Sequence, residues 1–121
     1  MEPIIYHNPR CSKSRATLAL LEQHGHRPRV IRYLEEPPDP RTLTRLLREL
    51  GLRARDLVRT NETQWKALGL DPDQVGEQEL VRLLCEHPVL SQRPIVEYCG
   101  KARIGRPPEA VLELFEADGS S

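Results

Sequence analysis

Apolar positions along the chain come in short blocks whose spacing changes from one segment to the next, and the changes lay out an element order. Pro3-Ile4-Ile5-Tyr6 is a β-branched and aromatic run that predicts a buried strand, and His7-Asn8-Pro9-Arg10 breaks it with turn chemistry. From Ser12 to His24, Ala16, Leu18, Leu20 and Leu21 recur at helical steps, with Gly25 placed to terminate the helix. Val30–Leu34 predicts a second strand, and the short crossover implies a right-handed parallel βαβ unit. Asp39 then caps a helix that has Pro40 at its first position, a stripe of Leu43, Leu46, Leu47 and Leu50, and Gly51 at its end. Shorter helices are predicted over Arg53–Val58, Glu62–Leu68 behind a Thr60-Asn61 cap, and Glu77–His87. Ile95–Tyr98 and Ala102–Ile104 flank a turn containing Gly100-Lys101 and predict an antiparallel hairpin. Pro107-Pro108 open a last helix whose Val111, Leu112, Leu114 and Phe115 face the sheet. The expected fold is α/β: a small mixed β-sheet with helices on its faces and an all-helical insertion, followed by a polar tail over 116–121.

Length and composition narrow the function. At 121 residues the chain fits one domain over 1–115 plus that tail, and a 38% hydrophobic content makes its core lean. Eighteen basic and eighteen acidic residues cancel, so no global charge draws the chain to nucleic acid or an anionic membrane. Any anion site must be local. No apolar stretch approaches the ~18 residues needed to span a bilayer, and no secretory signal pattern follows Met1, so a cytoplasmic protein is expected. Cys11, Cys85 and Cys99 have no C-x-x-C spacing, which disfavours a zinc ribbon or a disulfide scaffold. The histidines suit no metal site and no G-x-x-x-x-G-K occurs, so no metal and no bound cofactor are expected. Arg41, Arg45 and Arg48 lie off the leucine stripe of their helix and read as a solvated face.

Cys11 carries the chemistry. A thiol at a helix N-terminus meets unpaired backbone N–H groups and the positive end of the helix dipole, both of which favour thiolate. Its neighbours, His-Asn-Pro-Arg-Cys-Ser-Lys-Ser-Arg, are polar and cationic, whereas an inert core thiol has apolar surroundings. His7, Arg10 and Arg15 are cations within reach along the chain. Ser14 stands where a dithiol enzyme carries its resolving cysteine, so this helix cannot close a C-x-x-C disulfide. Cys85 reads as a buried filler, and Cys99 lies in the hairpin.

The segment Tyr6-His7-Asn8-Pro9-Arg10-Cys11-Ser12-Lys13-Ser14-Arg15 resembles the active-site segment of the glutaredoxin-dependent arsenate reductase (ArsC) family. The likeness continues in Tyr33–Pro38, Leu57–Glu62, His87–Leu90, Arg93–Val96 and Ile104–Glu109, in the same order. It implies a thioredoxin-like domain with a helical insertion. It further implies that Cys11 attacks arsenate to form a covalent thiol-arsenic intermediate, that glutathione serves as cosubstrate and glutaredoxin as reductant, and that arsenite leaves. Under the resemblance His7 lies near the thiol and stabilises its anion, Arg59, Arg93 and Arg106 bind the oxyanion, and Asn8, Ser14, Arg15 and Pro94 support the site. Planar guanidinium forks suit a tetrahedral oxyanion because they donate paired hydrogen bonds and stay charged. The family likeness also places a cis proline at Pro94, facing the cysteine. Two other readings share the chemistry or the fold: a glutathione-dependent thiol-disulfide oxidoreductase, and an Spx-like redox transcription regulator, against which the Cys11-x-x-Ser14 pattern counts.

Overall fold

A computed structural model describes residues 2–115. The tail expected over 116–121 lies outside the described residues. The described residues divide into two compact units, one built from residues 2–36 and 93–115, and one from Pro37–Gln92. Each unit buries apolar side chains of its own.

The first unit holds β1 (Ile4–His7), α1 (Ser12–Gln23), β2 (Arg29–Arg32), β3 (Ile95–Tyr98) and β4 (Lys101–Ile104). Its four-stranded sheet has the order β2-β1-β3-β4, with β1 parallel to β2 and antiparallel to β3, and β3 antiparallel to β4. β1 is flanked on both sides, with Tyr6 opposite Ile31 on one neighbour and Ile95 on the other, which is why an unbroken apolar run forms it. β2 is an edge strand, and Arg29, Val30 and Arg32 are exposed. It ends two residues before the expected Leu34, because the N–H groups of Glu35 and Glu36 both donate to the Arg32 carbonyl, at 2.9 and 2.8 Å, and turn the chain.

α1 starts at the predicted place, with Cys11 as its N-cap, and is closed by His24 as its C-cap and by Gly25, whose φ of 84° is a backbone state that favours glycine. The buried face differs from the predicted stripe. Ala16 is exposed, and the buried positions are Ser14, Thr17 and Leu21. Two hydroxyls tolerate burial because each is bonded: Thr17 Oγ1 donates to the Lys13 carbonyl at 2.8 Å, and Ser14 serves the loop before the helix. The core of this unit is Ile5, Leu21, Val96, Val111 and Leu114, with Leu18, Tyr98 and Phe115 packed against it.

Two further expectations are corrected here. The hairpin turn falls on Cys99-Gly100, with φ of 51° and 79°, and Lys101 already pairs with Tyr98 in β4. A two-residue turn of this kind needs positive φ at both positions. The last helix begins as a 3-10 turn over Pro108–Leu112 rather than as an α-helix, with the Ala110 N–H donating to the Pro107 carbonyl at 2.9 Å. Val111 and Leu114 are still buried.

The second unit is helical: α2 (Pro40–Leu50), α3 (Ala54–Leu57), α4 (Thr63–Leu68), α5 (Glu77–Glu86) and a 3-10 turn over Pro88–Leu90. The Asp39 carboxylate accepts the Thr42 N–H at 2.8 Å, and Gly51 closes α2 at a φ of 73°. Leu43, Leu46 and Leu47 are buried in this unit, as are Leu80, Val81, Leu83 and Leu84 of α5 and Trp65 of α4. Arg41, Arg45 and Arg48 are exposed on the outer face of α2. Glu62, not the Thr60-Asn61 pair, is the N-cap of α4, and its side chain makes no cap bond. Together the mixed sheet and the helical insertion form the thioredoxin-like α/β fold implied by the resemblance.

Candidate active site

β1 is too short to carry the chain past His7, and Pro9 cannot continue a ladder, so residues 8–11 fold into a tight loop that delivers Cys11 to the first turn of α1. The loop is tied from several sides. The Cys11 N–H donates to the Asn8 carbonyl at 3.0 Å, the Arg10 N–H to Asn8 Oδ1 at 3.0 Å, and Arg15 Nη1 reaches back to the Pro9 carbonyl at 2.9 Å. Ser14, fully buried, supplies the central tie: its Oγ accepts the Asn8 N–H at 3.0 Å and lies 2.6 Å from His7 Nδ1.

Cys11 is partly exposed. Burial raises the pKa of its thiol, but three contributions outweigh that effect: the backbone N–H of Ser14, the Arg93 guanidinium that hydrogen-bonds the sulfur, and the backbone N–H of Lys13. The net result is a thiol held below its ordinary value. No acidic residue stands in the first turn of α1 to oppose this. Cys85 lies at the opposite extreme. Burial, followed by the charges of Asp39 and Glu86, pushes it up to about 11, which leaves it protonated and unreactive at neutral pH. Cys99 is exposed at the hairpin turn.

His7 is pushed below its ordinary value, first by burial and then by the charges of Arg32 and Arg15. It is therefore neutral at pH 7. A neutral imidazole contributes no positive charge to the thiolate, so charge stabilisation falls to Arg93 and the helix N-terminus. Arg93 is half-buried and precedes Pro94 through a cis peptide bond. Burial lowers its pKa, but contacts with Cys11 and the Tyr33 hydroxyl reverse the balance and raise it. Arg106 Nε donates to the Arg93 carbonyl at 3.0 Å, which orients its exposed guanidinium and leaves the terminal nitrogens available.

Arg59 belongs to the helical unit. Its N–H donates to the Leu90 carbonyl at 2.7 Å, its guanidinium stands 3.7 Å from the Glu62 carboxylate, and its Nη1 is buried without a hydrogen bond among the described residues.

Sequence reasoning missed two residues. Tyr33, only 4% exposed, sits beside Arg93, and Arg32 is the register partner of His7 on the neighbouring strand. Tyr33 was visible as an aromatic at a strand end, but its neighbour Arg93 lies far away in sequence. Arg32 could be paired with His7 only once the β1–β2 register was known. Among the described residues no group of three His, Cys, Asp or Glu is placed to hold a metal ion, and no helix is long and apolar enough to cross a membrane.

Residues 6–114 match the ArsC family. The chain is 52% identical over 111 residues to YfgD of Escherichia coli K12, covering 91% of this chain and 93% of that protein. It is 46% identical over 114 residues to a Neisseria meningitidis serogroup A protein named arsenate reductase, covering 93% and 94%. The solved structure of an arsenate reductase from Vibrio cholerae superposes with a TM-score of 0.90 at 50% identity, covering 94% of this chain and 98% of that one. With the loop, the activated thiol and the guanidinium beside it in place, the match over nearly the whole chain is conclusive: this protein belongs to the ArsC family.

Proposed function

We propose that this protein is a cytoplasmic arsenate reductase in which Cys11 is the nucleophile and glutathione and glutaredoxin supply the electrons. The observation that carries the reading is the Arg93 guanidinium on the Cys11 sulfur at the N-terminus of α1. That arrangement provides an anionic nucleophile and, beside it, a planar donor for the oxygens of its target.

In this mechanism the thiolate attacks arsenic, one arsenate oxygen leaves as water, and a covalent S–As(V) ester forms on Cys11. Once the sulfur is bonded to arsenic it is no longer an anion, and Arg93 is free to donate to the arsenate oxygens, with Arg106 adding its terminal nitrogens. Glutathione displaces a second oxygen as water. Glutaredoxin then takes the glutathionyl group as a mixed disulfide, the As–S bond electrons stay on arsenic as As(III), and water releases arsenite and the Cys11 thiol. A second glutathione regenerates glutaredoxin. Net, arsenate and two glutathione thiols give arsenite, glutathione disulfide and water. Ser14 in place of a second thiol leaves no local partner that would trap Cys11 as an intrahelical disulfide.

The test is arsenite formation from arsenate with glutathione and glutaredoxin. The parent protein is expected to turn over, Cys11→Ser to lose all activity, and Arg93→Ala to fall by about 10²–10³-fold, the cost of removing one donor from an oxyanion site. Absence of turnover in the parent overturns this reading in favour of thiol-disulfide exchange with glutathione.

A further inference from the structure

On the side of the catalytic loop marked by His7 and Arg10, a separate pocket of about 240 Å³ is bounded across the gap by Arg32, Leu34 and Glu35. It opens at the carboxyl ends of the parallel strands β1 and β2, where α/β sheets commonly receive ligands. Its charges are uncommitted. Among the described residues the side chains of Arg10, Arg32 and Glu35 make no hydrogen bond or ion pair, although all three line one cavity. Leu34, a large apolar side chain 40% exposed, and Pro9 supply an apolar wall between them.

The geometry points to this pocket as the binding site for an amino-acid-type ligand, with Arg10 and Arg32 taking carboxylates, Glu35 taking an ammonium, and Leu34 covering the aliphatic part. Two cations and one anion lining one pocket match a zwitterion with an extra carboxylate better than they match a simple oxyanion, which Glu35 would repel. The volume is below the ~300–1,000 Å³ of pockets that enclose a whole drug-sized ligand, so it holds one end of a short peptide and leaves the remainder outside. His7, buried and neutral, forms a wall without adding a third charge. Arg10 is the residue next to Cys11 in the chain, so the pocket adjoins the loop that carries the reacting thiol. The inference rests on the proposed function insofar as it makes this ligand the acidic thiol peptide consumed there. Arg93 and Arg106 are left to the oxyanion.

The probe is S-methylglutathione, which carries both carboxylates and the ammonium but cannot react. Backbone amide NMR titration is expected to move the signals of His7, Asn8, Arg10 and residues 32–35. Arg10→Gln and Arg32→Gln each weaken binding about threefold and the double variant about tenfold, typical of exposed charge pairs. The diethyl ester of the probe loses the dependence on both arginines, and N-acetylation of the probe loses the dependence on Glu35→Gln. Shifts confined to other residues, or equal affinity for parent and double variant, overturn the pocket. Arsenite formation in the same variants separates the two claims. Probe binding at the pocket without arsenate turnover in the parent removes the arsenate reading alone. Turnover that is equal with glutathione and 2-mercaptoethanol, together with unchanged probe affinity in the variants, removes the pocket alone.

Discussion

Ser14 shows how much of this site is held by one small side chain. It is fully buried; its backbone N–H favours the Cys11 thiolate, while its hydroxyl oxygen takes the Asn8 N–H and meets His7 Nδ1. Because the Asn8 N–H occupies one lone pair of that oxygen, the hydroxyl hydrogen is available to a neutral imidazole, and the depressed pKa of His7 keeps it neutral. Ser14→Ala removes the hydroxyl and keeps the backbone. It is expected to destabilise the fold by about 1–3 kcal/mol, because the buried Asn8 N–H is left without its acceptor, and to change the NMR titration of His7. The Cys11 thiolate should persist, since the N–H and Arg93 contributions remain. Unchanged stability in urea denaturation, or loss of the thiolate, would contradict this assignment. Cys11 and its cationic neighbours were legible from the local sequence, because inert thiols do not sit in such company. Arg93 was legible only through the family resemblance, since nothing local in sequence joins it to Cys11.

At the scale of elements, the close approach of β4 to α1 sets the position of the proline before β3. The Gly105 N–H donates to the Pro94 carbonyl at 2.9 Å, and a Cβ at Gly105 would run into Thr17 Oγ1 and stand 2.9 Å from Pro94 Cγ. Neither obstacle gives way easily. Thr17 is fully buried and bonded to the Lys13 carbonyl, and Pro94 is a ring in the core. Gly105→Ala is therefore expected to cost about 1–3 kcal/mol, as overpacking does, and to lower turnover by displacing Pro94 and with it Arg93. A thermal melt and an arsenite assay on the variant check this, and parent-like values in both would contradict it. Element existence was readable wherever periodicity and punctuation agreed: Asp39 and Gly51 bracket α2, and Pro9 with Gly25 brackets α1. Misreadings fell where a hydrogen bond overrode the pattern. The double acceptance at the Arg32 carbonyl cut β2 short, and the prolines ahead of Val111 tightened the last helix into a 3-10 turn. The buried face of α1 was misread because Ser14 and Thr17 are placed by their bonding partners, which hydrophobic periodicity does not register.

For the molecule as a whole, the formal charge is zero, yet Arg15, Arg32, Arg93 and Arg106 all belong to the sheet-bearing unit and each acts within the Cys11 neighbourhood described above. That any anion site must be local was legible from the charge balance. The division into two units was not, because the apolar stripes of α2 and α5 read equally well as faces of one core. The ionisation of Cys11 is a property of the folded chain. Its causes come from the start of α1 and from Arg93 at the opposite end of the sequence, and unfolding separates them. Since folding depresses this thiol, the stability it contributes is fully present above the unfolded thiol's value and is lost as pH falls through the folded one. The most direct measurement is the thiolate absorbance near 240 nm as a function of pH, taken as the difference between the parent and Cys11→Ser, in buffer and in urea. The account predicts a native midpoint below the ordinary thiol value of about 8.5, a rise of that midpoint in Arg93→Ala, and a return to about 8.5 in urea. A native midpoint at or above the urea value would contradict it.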